Sequence, residues 1–131
     1  MSLIMTSSRP YLIRALYEWI LDNEMTPYML VNAEAEDTVV PMEYAQNGNI
    51  ILNLSPGAIR DLDLGNEHIS FNARFGGTPM DVFVPIAAVR AVYARENGKG
   101  MVFSDEPNDE PPTPTTPDED KSGRPTLRVV K

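Results

Sequence analysis

At 131 residues, with a formal net charge of −8, one histidine and no cysteine, the chain has room for one domain and little more. That composition excludes disulfide scaffolds, cysteine-ligated metals, cysteine nucleophiles and polyhistidine sites within one chain, and its acidity argues against a general nucleic-acid binder, which needs a basic surface. No apolar run approaches the ~20 residues that span a bilayer, and the first residues lack the basic start and long apolar core of a secretory signal, so a cytoplasmic setting without membrane contact is expected.

Residues 1–8 read as a flexible lead-in to a helix over Arg9 to Asn23. Pro10 suits a first helical turn, and Ser7 and Ser8 are candidate caps. Leu12, Leu16, Trp19 and Ile20 follow i, i+4, i+7, i+8 spacing, and Ile13, Tyr17 and Leu21 widen the stripe beyond one face. A helix so apolar needs two partners. One is the domain's own sheet; the other is a second copy of the same helix in a two-fold dimer. Burial wholly within one small core is the alternative.

Thr26-Pro27 ends the helical region. Short β runs follow at Tyr28–Ala33, Val39–Met42, Asn49–Leu54, Ile69–Phe75, Met80–Val84, Val89–Ala94 and Lys99–Phe103. Asn47-Gly48 and Asn97-Gly98 predict two-residue hairpins with both residues at positive φ. Gly76-Gly77 marks a further reversal. Ser55-Pro56-Gly57 breaks the chain, and short turns are expected at 58–62 and 85–88. The fold class is therefore α+β, mostly β: one N-terminal helix on a small curved sheet or barrel.

Composition changes near residue 104. All ten aromatic residues lie before it, and residues 1–104 carry a net −5. Residues 105–120 hold seven acidic residues, no basic ones and five prolines. Such a segment cannot bury enough apolar area to offset its ordering entropy. Residues 9–104 are thus expected to form the domain and 105–123 a disordered acidic, Pro-rich linker. Beyond it Leu127, Val129 and Val130 stand among Arg124, Arg128 and Lys131, with Lys121 just before. A short apolar, basic segment at the end of a linker suits a docking peptide; a frayed terminus has the same composition.

Signs of catalysis are poor. There is no G-x-S-x-G elbow, Walker loop or H-E-x-x-H helix. Gly76-Gly77 lies between strands, which suits a hairpin rather than a phosphate cradle. His68 reads as a strand-edge surface residue, and Asp61 with Asp63 as a solvated loop. Signs of binding are better. In 71–77, Phe71, Ala73 and Phe75 share one strand face and Asn72 and Arg74 the other. Small Ala73 and the glycine pair leave room for another backbone. Tyr44 and the run Met101, Val102, Phe103 add large side chains near element ends. An extended peptide could lie on such a surface. The same residues are also what a buried core strand carries, and both readings stand at this point.

Seven stretches together resemble the stringent starvation protein B family: 10–12, 17–19, 21–23, 40–45, 71–77, 93–98 and the terminal RPTLRVVK. The resemblance runs from about residue 9 to 104 and resumes at 123–131. It implies an Sm-like β fold behind a dimer-forming helix, and an adaptor without catalytic or cofactor chemistry. That adaptor brings ssrA-tagged polypeptides to the ClpX unfoldase of the ClpXP protease. On the family pattern Tyr44, Asn72, Ala73, Arg74, Phe75 and Gly76 form one side of a tag-peptide groove, and Met101, Val102 and Phe103 the other. Arg124, Pro125, Leu127, Arg128, Val129, Val130 and Lys131 resemble the peptide that docks on the zinc-containing N-terminal domain of ClpX; the zinc belongs to that partner. The dimer contact falls to Leu12, Leu16, Trp19 and Ile20. Two other readings remain: an Sm-like RNA-binding module, which the net −5 of residues 1–104 opposes, and an enzyme with a site not visible in the sequence.

Overall fold

The computed structural model describes residues 7–103 and 113–114. The remainder of the expected lead-in, linker and docking peptide lies outside the described residues. One helix, α1 (Arg9–Asp22), precedes β1 (Pro27–Asn32), β2 (Asn49–Asn53), β3 (Ile59–Leu64), β4 (His68–Phe75), β5 (Thr78–Pro85), β6 (Val89–Ala94) and β7 (Gly100–Val102). A two-residue strand, β8 (Thr113–Pro114), completes the set. The strands form two antiparallel sheets, ordered β2-β1-β6-β7-β8 and β3-β4-β5. The expected mostly β fold behind an N-terminal helix is what the chain adopts.

Helix α1 begins with Pro10 in its first turn, as its missing N–H permits. Ser8 holds the cap position, and Ser7 Oγ accepts the Arg9 N–H at 3.2 Å. The helix ends in paired hydrogen bonds, Met25 N–H to Ile20 O and Glu24 N–H to Leu21 O, with Glu24 at φ 61°. This is the arrangement that satisfies the last free carbonyls of a helix. Ile13, Leu16 and Ile20 are buried against the sheets. Two arginines fasten the helix to both: Arg9 donates to Val89 O on β6 and lies over the Phe103 ring, and Arg14 donates to Leu64 O on β3.

The core joins α1 to the inward residues of both sheets, including Met29, Val31, Leu52, Ile69, Phe71, Val84 and Val92. An isolated bridge, Val39 to Phe83, connects the long β1–β2 segment to the second sheet. Here the expected strand over Val39–Met42 does not form. Pro41 has no N–H with which to continue a ladder, and the chain instead enters a 3₁₀ turn at Met42–Tyr44. Conversely, β3 occupies the stretch expected to be a turn and a solvated loop. It carries a register shift between Arg60 and Asp63, with Asp61 at φ 58°.

The hairpin turns divide in the same way. Asn47 and Gly48 both have positive φ, as expected for a two-residue turn. At 97–98 only Gly98 does. The loop there is longer, running over 95–98 between Ala94 and Lys99, and from it Glu96 reaches back to the α1–β1 junction, where its carboxylate accepts the Thr26 N–H at 2.8 Å and the Thr26 hydroxyl at 2.7 Å. Those two bonds, with Arg95 alongside, lower the Glu96 carboxyl from 4.5 to about 2. A depressed carboxyl adds stability above its unfolded value and loses it as pH falls towards the folded one. Between pH 4.5 and 2, Glu96→Gln should therefore flatten the acid limb of a pH series of denaturation midpoints. An unaltered limb would show that the clamp contributes nothing.

Candidate functional site

Strand β4 is the central strand of its sheet, flanked by β3 and β5. Its side chains alternate as the sequence predicts: Phe71 and Ala73 are buried, Phe75 is half-buried, and Asn72 and Arg74 face outward. Being central also removes His68 from any sheet edge; its ring stacks on Phe83 at 4.6 Å. Asn72 Nδ2 donates to Asp81 Oδ1 at 2.8 Å, and Arg74 donates to Gly77 O at 3.0 Å. Both outward side chains are thus oriented by the β4–β5 hairpin itself. That hairpin closes through Gly76 and Gly77 at φ 61° and 85°, between the paired residues Phe75 and Thr78.

Tyr44 reaches this hairpin from the other side. The 3₁₀ turn that follows Pro41 brings its ring to 5.7 Å from the Phe75 ring. Its hydroxyl stands where a side chain at position 76 would begin, 3.0 Å from an ideal Cβ there. Gly76 is favoured by its positive φ, and a side chain there would also press on the Tyr44 hydroxyl. Tyr44 remains 48% exposed, so its face is available to a ligand.

A concavity of about 330 Å³ is formed by residues 56–60 on one side and 72–74 on the other, with Pro79 at its margin. Ala73, 9% exposed, supplies a small floor. The guanidinium-bearing residues Arg60 and Arg74 both line it, giving a cationic stretch on an acidic chain. Backbone and amide groups, an arginine pair and apolar walls suit an extended polar peptide better than a compact apolar ligand. Residues 56–60 and Pro79 were not singled out by the sequence. They arrive because β3 pairs Ile59 with Ala73 and Arg60 with Asn72, a register no local pattern reveals.

The structure unites Tyr44, Phe75 and Gly76, and sets 72–74 in a concavity that none of those three lines. Met101, Val102 and Phe103 stand on or just after β7 in the other sheet. Phe103 is buried, Met101 half-buried and Val102 exposed. The helix residues also divide. Leu16 and Ile20 face the core, whereas Leu12 is half-buried and Trp19 is 48% exposed. Residues 124–131 lie outside the described residues. Among the described residues, no group of three or more His, Cys, Asp or Glu could hold a metal ion, and no helix is long and apolar enough to cross a membrane.

Comparison with known proteins decides the family. The model for the stringent starvation protein B family matches residues 7–131. The chain belongs to that family. A stringent starvation protein B homolog of Haemophilus influenzae is 48% identical over 110 residues, covering 80% of this chain and 73% of the relative. The family match takes in both the folded body and the basic tail.

Proposed function

We propose that this stringent starvation protein B family member is a proteolysis adaptor. It binds ssrA-tagged polypeptides on the surface built from Tyr44, 72–76 and 101–103, and it docks on the N-terminal zinc-binding domain of ClpX through residues 124–131. It works in the cytoplasm as a homodimer paired through α1, with no cofactor, nucleic acid or membrane involved. The observation that carries this reading is the family match over residues 7–131, a span that takes in both a peptide-sized concavity and an apolar, basic terminus. The mechanism is tethering. Holding cargo and unfoldase on one chain raises their mutual concentration to roughly millimolar for a short link, and a dimer offers two grooves and two tails.

A titration with a fluorescent ssrA-tag peptide tests the reading. Saturable binding with a Kd of about 10 μM or tighter is expected. Tyr44→Ala should weaken it at least ~10-fold, and because Tyr44 is half exposed, the denaturation midpoint should barely move. Deleting residues 124–131 should leave the peptide affinity unchanged and abolish delivery to ClpXP. No binding at high micromolar peptide overturns the proposal.

A further inference from the structure

Strand β7 has two edges, and only one belongs to β6. On that side Ala91, Val92 and Tyr93 pair with Val102, Met101 and Gly100. Ala94 N–H donates to Lys99 O, and Phe103 N–H to Arg90 O. The odd-numbered residues of this stretch therefore turn their backbone groups toward β6, and alternation turns those of Val102 away from it. Left bare, they would form an open sheet edge on which another chain could add a strand.

The edge is covered by this chain itself. β8 lies antiparallel to β7, with Val102 opposite Thr113 and Met101 opposite Pro114. By the same alternation Val102 and Thr113 form the pair that exchanges N–H···O=C bonds, and Met101 and Pro114 the pair that does not. The sequence is fitted to this register. Across 111–114, Thr113 is the one residue with a backbone N–H, since the others are proline. It falls where the donor is used, and Pro114 falls where none is needed toward β7.

We propose that Thr113–Pro114 is an anchoring strand, so that the terminal peptide is tethered from Pro114 and not from Phe103. The consequence for delivery rests on the adaptor function proposed above; the pairing does not. From Phe103 to Arg124 the chain could extend at most roughly 70–75 Å, but from Pro114 only about 33–36 Å. Where the shorter link still spans the distance, the effective concentration of the docking peptide at ClpX rises roughly threefold. The anchor also occupies the backbone of Val102, leaving cargo to meet β7 through side chains alone.

Amide hydrogen exchange in the full-length chain, read by NMR, tests the anchor. Exchange at Val102 should be about fivefold slower in the wild type than in Thr113→Pro, which has no N–H at that position. Thr113→Ala keeps the N–H and should keep the protection. Unchanged exchange of the β6 amides confirms that both variants are folded. Equal Val102 exchange in wild type and Thr113→Pro overturns the anchor, as does protection that vanishes when ssrA-tag peptide is added. In a ClpXP degradation assay, Thr113→Pro should bind the tag peptide as tightly as wild type yet need roughly threefold more adaptor for half-maximal delivery. Unchanged delivery overturns the tether consequence. If the wild type bound no tag peptide at all, the adaptor reading would fail and the exchange result would still decide the anchor.

Discussion

Gly100→Ala should be among the most damaging single substitutions in the chain. Gly100 opens β7 opposite Tyr93, and the strands approach so closely there that an added Cβ runs into the Val92 carbonyl oxygen and the Tyr93 backbone. Those atoms belong to β6, which also pairs with β1 in the middle of the larger sheet. They cannot give way as the tip of a flexible side chain can. Either β6 shifts, disturbing Val89, Val92 and Ala94 in the core, or β7 leaves and withdraws Phe103 from beneath Arg9. We expect a loss of at least ~3 kcal/mol, a large share of the roughly 5–15 kcal/mol available to a domain. Urea denaturation of wild type and variant measures it. A midpoint within experimental error of wild type would show that β7 does not pair with β6 in this register.

The close approach at Gly100 typifies what a sequence withholds. The elements with a strong local period were legible: α1 from its apolar stripe and Pro10, β4 from the alternation through 71–75, and the Asn47-Gly48 turn from residues that accept positive φ. β3 was missed although Asp61, Leu62, Asp63 and Leu64 alternate as a strand should. The neighbouring Gly and Asn residues have the composition of a solvated loop, and the bulge at Asp61 breaks the period. Val39–Met42 failed for the opposite reason, a β-like run containing a proline. The longer turn at 97–98 carries a contact with distant sequence, Thr26 to Glu96, that no local pattern reveals.

The candidate site shows the same limit. Tyr44, Phe75 and Gly76 could be named as residue types, but their meeting depends on a 3₁₀ turn set by Pro41. The second wall of the concavity depends on the pairing of β3 with β4. Ala73 illustrates the cost of reading one face at a time. It is both floor of the concavity and member of the core, so enlarging it would crowd both. Tyr44 therefore separates binding from folding better.

Helix α1 offers the second large effect, because four residues grouped by the sequence serve two faces. Leu16 and Ile20 pack with Ile13 against the sheets. Leu12 and Trp19, two turns apart, lie together on a flank with the small Ala15 between them, and Tyr11, 50% exposed, borders it. A half-exposed tryptophan beside a small residue suits the proposed contact with a second α1, where large aromatic side chains carry most of the binding energy. Trp19→Ala should thus raise the dimer dissociation constant at least ~30-fold, about 2 kcal/mol, with the far-ultraviolet spectrum unchanged. Leu16→Ala should instead cost about 2–5 kcal/mol of folding stability through the cavity it leaves. Sedimentation velocity at a series of concentrations, paired with denaturation, separates the two. If Trp19→Ala sediments as wild type down to nanomolar protein, the helix does not hold two copies together through this flank. If Leu16→Ala dissociates the dimer without loss of stability, the assignment of the two faces is reversed.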